Sequence, residues 1–202
     1  MNVFKKLLTG ACMALALTGA ALADTAPDAL VKKISTEVID TAKTDKAIQA
    51  GDLNKIIALV DAKVMPHVNF SRMTRIAVGR PWAGATPDQQ KRLQDEFKTL
   101  LVRAYAGALT QVKDQVVELL PMRSSPNDTE VVVRTRVKGK GDPIQIDYRL
   151  EKTDAGWKIY DVNVLGVWLV ENYRNSFAQE IGANGIDGLI GKLAERNKSA
   201  KS

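Results

Sequence analysis

Hydrophobic residues recur at helical spacing through the first half of the chain, alternate through most of the second, and return to helical spacing at the end. In "TAPDALVKKISTEVIDTAK" (25–43), Leu30, Val31, Ile34, Val38 and Ile39 share one helical face, and Asp28 stands just ahead of them as a cap. A second helix is predicted over "DLNKIIALVDAKVMPHV" (52–68) from Ile56, Ile57, Leu59, Val60 and Val64, and Pro66 should end or bend it. "NFSRMTRIAVG" (69–79) reads as a short helix closed by Gly79. The clearest pattern is "TPDQQKRLQDEFKTLLVRAYAGALTQV" (86–112). Thr86 caps it, Pro87 fills the first turn, and Asp88 complements the helix dipole. Its stripe of Leu93, Phe97, Leu100, Leu101, Ala104, Tyr105 and Ala108 must face something apolar.

The period then changes to two. Four strands are predicted in "VVELLPM" (116–122), "EVVVRTRVKG" (130–139), "IQIDYRL" (144–150) and "GWKIYDVNVLG" (156–166). The turn-rich links "SSPND", "GKGDP" and "TDAG" are short, so the strands should form an antiparallel meander. Ile144, Ile146, Tyr148 and Leu150 fall on one face, and Gln145, Asp147, Arg149 and Glu151 on the other. Val131, Val133 and Val137 likewise oppose Arg134 and Arg136. One face is apolar and one is wet, the mark of a sheet covered by helices on a single side. In "DVNVLGVWLVENYRNSF" (161–177) the strand pattern stops at Gly166, and Val170, Tyr173 and Phe177 take up helical spacing. The chain therefore turns and lays a helix back over the apolar face. The fold class is α+β: a four-stranded antiparallel sheet with helices across one face. Whether they enclose a filled core or a cavity cannot be read from periodicity, because lining and packing residues look alike. Close packing is the rule, and by itself it favours the filled core.

The first 23 residues change the setting. "MNVFKKLLTGACMALALTGAALA" has Lys5 and Lys6, an apolar run and an Ala21-Leu22-Ala23 exit, the layout of a cleavable secretory signal. The run of roughly 16 residues is short for a membrane span. Cleavage after Ala23 leaves one domain, residues 24–202, in a bacterial periplasm. It also removes Cys12, the only cysteine, so the mature domain has neither disulfide nor thiol chemistry. The formal charge of +6 falls by two with Lys5 and Lys6. A mildly basic exported protein is a poor fit to nucleic acid. Its charge suits anionic lipid surfaces or acidic partners, or simply a solvated surface.

Candidate chemistry is sparse. His67, the single histidine, has no second ligand at metal spacing. Asp161 is the one acid placed for a catalytic role, and it reads more readily as an acceptor for a helix end, a Tyr or an Arg. Tyr173 and Arg174 could clamp a phosphate, but a core-facing tyrosine beside an exposed arginine is the simpler account. "GKGDP" lacks the strand-to-helix setting of a nucleotide loop and reads as a hairpin turn.

"VGRPWAGATPDQQKRLQDEF", "LLVRAYAGAL", "GWKIYDVNVLGV" and "GIDGLIGKL" occur in this order along the chain. Together they resemble the MlaC, or toluene-tolerance auxiliary, family of periplasmic phospholipid-binding carriers of the maintenance-of-lipid-asymmetry system. The resemblance spans essentially the whole predicted mature chain. One position departs from it: the family commonly has serine where this chain has Trp168, which bears on local pocket shape.

The resemblance implies an NTF2-like α+β cone with a deep apolar cavity that holds the acyl chains of a phospholipid. It implies a carrier that moves lipid between an outer-membrane lipoprotein–porin complex and an inner-membrane ABC transporter, and a monomer without cofactor or metal is expected. On that reading the cavity is lined by Val133, Ile144, Ile146, Tyr148, Leu150, Val167, Val170 and Tyr173, with Phe97, Leu101 and Tyr105 from the long helix. Two rivals stay open. An NTF2-like enzyme acting on an apolar small molecule would need Asp161 in a pocket, and a structural module would have a solid core.

Overall fold

The computed structural model describes residues 25–125 and 127–199, so the leader predicted over residues 1–23 lies outside it. Five helices come first: α1 (Pro27–Thr44), α2 (Lys46–Gln49), α3 (Leu53–Lys63), α4 (Phe70–Val78) and α5 (Pro87–Thr110). Strands β1 (Val116–Leu119), β2 (Glu130–Lys138), β3 (Ile144–Thr153), β4 (Gly156–Val164) and β5 (Val167–Trp168) precede α6 (Leu169–Ser199). The strands pair in chain order, each antiparallel to the next.

Most helix boundaries follow from local chemistry. The Thr86 hydroxyl accepts from the Gln89 N–H at 3.2 Å while the Gln89 side chain accepts from the Thr86 N–H at 3.0 Å, a reciprocal capping box. Asp52 caps α3 and Asn69 caps α4. Gly79, at φ 74°, closes α4 in a conformation that costs any other residue strain. Asp28 behaves differently from the sequence expectation. Pro27 starts α1 with its preset φ, so Asp28 falls inside the first turn, where its carboxylate accepts from the Ala29 N–H. The four-residue α2, capped by Asp45, is too short to leave a periodic signal. Helix α6 has two limbs, because Gly185 sits at φ 69°, ψ −174° and breaks the ladder between them.

The sheet has five strands rather than four. Leu165 and Gly166, both at positive φ, make a two-residue hairpin after which Val167 and Trp168 pair back onto Val164 and Asn163. A second irregularity matters more. The β3–β4 register shifts between Arg149 and Leu150, so that Leu150 faces Ile159 while Arg149 faces Asp161. Tyr160 is the extra residue of a bulge. Strict alternation from Ile159 would turn Asp161 inward and Val162 and Val164 outward. The bulge reverses this, aligning Val162 with Tyr148 and Val164 with Ile146 on the apolar face.

Three apolar clusters hold the molecule. Leu30, Val31 and Ile34 of α1 pack on Val131, Val133, Leu150 and Ile159 of the inner sheet face. Met73 and Val78 of α4, Leu93, Phe97 and Leu100 of α5, and Val170, Phe177, Leu189 and Ile190 of α6 form a second cluster. A third joins α1, α2 and α3 to the far end of α5 through Ala42, Ile48, Ile56 and Val112. The chief helical neighbours of the sheet are α1, α6 and α4, whereas α5 packs mainly on other helices. At the β1 edge the Lys32 ammonium donates to the Val117 carbonyl, which blocks that group from pairing with another strand.

Candidate functional site

The two apolar surfaces change character along their length. On the inner sheet face Leu150 is completely buried, Tyr148 and Ile146 are half-buried, and Ile144 is 42% exposed. On α5, Leu93 and Phe97 are completely buried, Leu101 is half-buried, and Tyr105 is 38% exposed. Val167 and Leu165 in the β4–β5 hairpin are also exposed. Each wall is therefore tightly packed at one end and uncovered at the other.

The eleven lining residues expected from the sequence fall into two groups. Val133, Tyr148 and Leu150 belong to the cluster beneath α1, with Ile146 and Ile144 continuing the same face toward the hairpins. Phe97, Leu101, Val170 and Tyr173 belong to the α4–α5–α6 cluster, and Tyr105 lies two turns beyond Phe97 on α5. Phe97 is the hub of that second group, with ring centroids 5.1 Å from both Tyr173 and Phe177 and 5.7 Å from Phe70. Val167 stands in β5, opposite Val164. Phe97, Val133, Leu150 and Val170 are fully packed by protein. Val162 and Val164 share the inner face and were not among the expected lining residues, because the sequence reading gave no faces within 156–166. A signal was present: Ile159 and Val162, three residues apart, cannot both be inward on a regular strand.

Hydroxyls interrupt the inner face at one place. Ser35 of α1 lies 3.5 Å from the Tyr148 hydroxyl, and the Thr135 hydroxyl donates to the Ile146 carbonyl at 2.9 Å. Burial pushes the Tyr148 phenol above its ordinary pKa, so it remains a neutral donor.

The outer face is ionic. Arg72 of α4 bonds Glu130 at 2.6 Å and also Glu151, and its guanidinium lies 3.7 Å from the Tyr160 ring centre. These contacts, Arg72 foremost, hold the Glu130 carboxyl below its ordinary value. Arg149 bonds Asp161 at 3.1 Å and Glu171 at 3.3 Å and stacks 3.8 Å from Trp168. Trp168 pairs with Asn163 and meets Arg149 on this side, so its indole belongs to the ionic layer and not with Val167.

Asp161 is buried and already bonded. One oxygen accepts the N–H groups of Val162 at 2.9 Å and Val170 at 3.2 Å, and the other takes Arg149. Desolvation raises its pKa, and the two N–H bonds and Arg149 oppose the rise. Its role is to tie β4 to the first turn of α6, the helix-end acceptor anticipated from the sequence. Tyr173 is on the core side beside an exposed Arg174, and His67 ends a 3-10 turn with its pKa lowered, first by burial. Among the described residues no group of His, Cys, Asp and Glu could hold a metal ion, and no helix is long and apolar enough to cross a membrane.

These features define an α+β protein whose two apolar walls, one sheet and one helical, are packed at one end and uncovered at the other, with no catalytic group assembled among the described residues. The MlaC protein family model matches residues 32–195, and the chain belongs to that family. The Toluene tolerance protein ttg2D of Pseudomonas putida is 24% identical over 181 residues, covering 86% of this chain and 84% of its own. The Intermembrane phospholipid transport system binding protein MlaC of Haemophilus influenzae is 22% identical over 193 residues, covering 94% and 90%. Among solved structures, the phospholipid-binding protein of Ralstonia solanacearum in complex with a phospholipid superposes with a TM-score of 0.85. It is 46% identical, over 89% of this chain and the whole of the other.

Proposed function

We propose that this protein is a periplasmic phospholipid carrier, exported with removal of residues 1–23, whose acyl site lies between the uncovered halves of the two walls. The observation that carries the reading is the 46% identity and TM-score of 0.85 to a protein solved with a phospholipid bound. In the same reading it moves lipid between an outer-membrane lipoprotein–porin complex and an inner-membrane ABC transporter. The relative in Haemophilus influenzae, described as the binding protein of an intermembrane phospholipid transport system, supports that assignment.

The physics asks for such a carrier. Each methylene exposed to water costs about 0.8 kcal/mol, so two chains of about 15 methylenes cost on the order of 20 kcal/mol or more. A lipid does not cross an aqueous compartment unaided against that cost. The carrier must hide most of the hydrocarbon and still release it. Apolar walls suit both needs, since dispersion and desolvation are non-directional and accept chains of different length. Leu101, Tyr105, Ile144, Ile146, Tyr148, Val167 and Tyr173 are the candidates with surface left to cover. Phe97, Val133, Leu150 and Val170 back them as the rigid end of the site. The bonded state of Asp161 counts against the enzyme alternative.

The direct test is native mass spectrometry of protein purified without added lipid, followed by extraction and identification of what it holds. At least one phospholipid per chain is expected. A bare polypeptide, under conditions that keep other lipid carriers loaded, would reject the proposal.

A further inference from the structure

The outer face of the sheet carries a groove separate from the proposed acyl site. It encloses about 830 Å³, and its walls include Arg123, Arg134, Arg149, Asp128, Glu130 and Tyr160. Both acids are already engaged. Glu130 holds Arg72 with one oxygen at 2.6 Å and the Tyr160 hydroxyl with the other at 3.1 Å. Asp128 accepts from the Ser125 N–H at 2.7 Å.

Two of the three cations are not matched in this way, Arg149 being the exception. Arg149 contacts Asp161 and Glu171 through the same nitrogen, Nη1. Arg123 and Arg134 are exposed, and neither has an acidic partner among the described residues. Asp147 pairs directly across from Arg134 in the register, yet its carboxylate accepts from the Gln145 amide at 3.1 Å. Arg134 and Arg149 are diagonal neighbours on one face of adjacent strands, a spacing of roughly 7–8 Å that lets two guanidinium forks reach one anionic group. Arg123 joins them from the connection between β1 and β2.

Guanidinium forks match carboxylates and phosphates equally well, so shape must decide. A planar bilayer meets convex surfaces, and these arginines line a recess. A lone phosphate would leave most of a recess of about 830 Å³ filled with water. An extended peptide satisfies both conditions, because its alternate side chains can enter the groove while Pro121, Met122 and Val132 contact its backbone. We propose that this groove docks an extended, carboxylate-rich segment of a partner protein, gripped by Arg123, Arg134 and Arg149.

The test uses the mature chain and a fluorescein-labelled peptide of alternating Glu and Gly, with the Gln–Gly peptide as control, read by fluorescence anisotropy. The Glu peptide should bind at least tenfold more tightly than the Gln peptide, and added salt should weaken it. Arg123→Glu combined with Arg134→Glu should lower that affinity at least tenfold. Arg123→Gln with Arg134→Gln should lower it by a smaller factor, which separates charge from misfolding. Equal binding by all three proteins, or none by the unaltered one, overturns the proposal. So does displacement of the peptide by millimolar inorganic phosphate, or co-sedimentation with phosphatidylglycerol vesicles that the charge-reversed pair abolishes. The inference does not rest on lipid carriage, and the lipid content of the same variants, expected to be unchanged, reports on that reading separately.

Discussion

Leu93 and Tyr105 lie on one apolar stripe of one helix, yet Leu93 is completely buried and Tyr105 is 38% exposed. The inner sheet face repeats the contrast within one strand, from the sealed Leu150 to Ile144 at 42% exposure. Sequence period specifies which side of an element is apolar and says nothing of what covers it. At the sealed end the cover is protein: α1 over Leu150 and Val133, α4 and α6 over Leu93 and Phe97. At the open end the same kinds of residue are left partly uncovered, and a ligand of hydrocarbon is the occupant proposed above. An aliphatic surface kept ready for a ligand forgoes the stability that closing over it would supply.

The sharpest way to break this comparison is to put one charge at each end of the same strand face. Leu150→Glu buries a carboxylate with no partner among the described residues on the inner face and should abolish folding, read as loss of the cooperative thermal transition. Ile146→Glu places the same group where water can enter once lipid has left, so the protein should fold but retain little lipid. Gln145→Glu, one residue away on the outer face, should do both normally. A folded, fully loaded Ile146→Glu protein would contradict the acyl-site assignment, as would lipid loss confined to Gln145→Glu.

A milder pair compares the two ends of α5. Leu93→Ala opens a cavity in a closed core and should cost about 2–5 kcal/mol in chemical denaturation. Tyr105→Ala removes a side chain that protein covers only in part, so its stability cost should stay under about 1 kcal/mol while bound lipid per chain falls. Equal stability losses would mean that the two ends are packed alike.

Much of this architecture was legible from pattern, and the exceptions have physical causes. The capped start of α5, the short α4 closed at Gly79 and the meander follow from rules that act over a few residues. Three features did not. Helix α2, of four residues, and strand β5, of two, are too short for their own signal to repeat. The bulge at Tyr160 is a two-strand property, settled by where Arg149 and Leu150 sit on β3, and the β4 sequence alone shows only colliding phases. The candidate site was legible as a set of apolar faces. The division between packed and open positions was not, because Phe97 and Tyr105 carry the same message in a periodic pattern.

A third comparison concerns Asp161, which fastens the helical wall to the sheet from the outer side. Asp161→Asn keeps an acceptor for the Val170 and Val162 N–H groups but sets an amide N–H against the Arg149 donor in place of an acceptor, and it should cost about 1–3 kcal/mol without altering lipid content. Its pH dependence has a definite sign. Burial raises the pKa of this carboxyl in the fold, with Glu171 adding to the rise, so the folded protein holds the proton more tightly than the unfolded chain does. Such a group contributes most below its unfolded value, and the contribution is lost as pH rises through the folded value. Asparagine does not titrate. The stability advantage of the unaltered protein over Asp161→Asn should therefore widen as pH falls from the raised value toward the ordinary 3.8, even while acid weakens both proteins through Glu130 and other carboxyls held below their normal range. Paired denaturation curves across that window measure the difference directly, and the acid loss common to both cancels. If the advantage narrowed on acidification, the ionised carboxylate would be the favoured form in the fold, and the N–H groups and Arg149 would outweigh its burial.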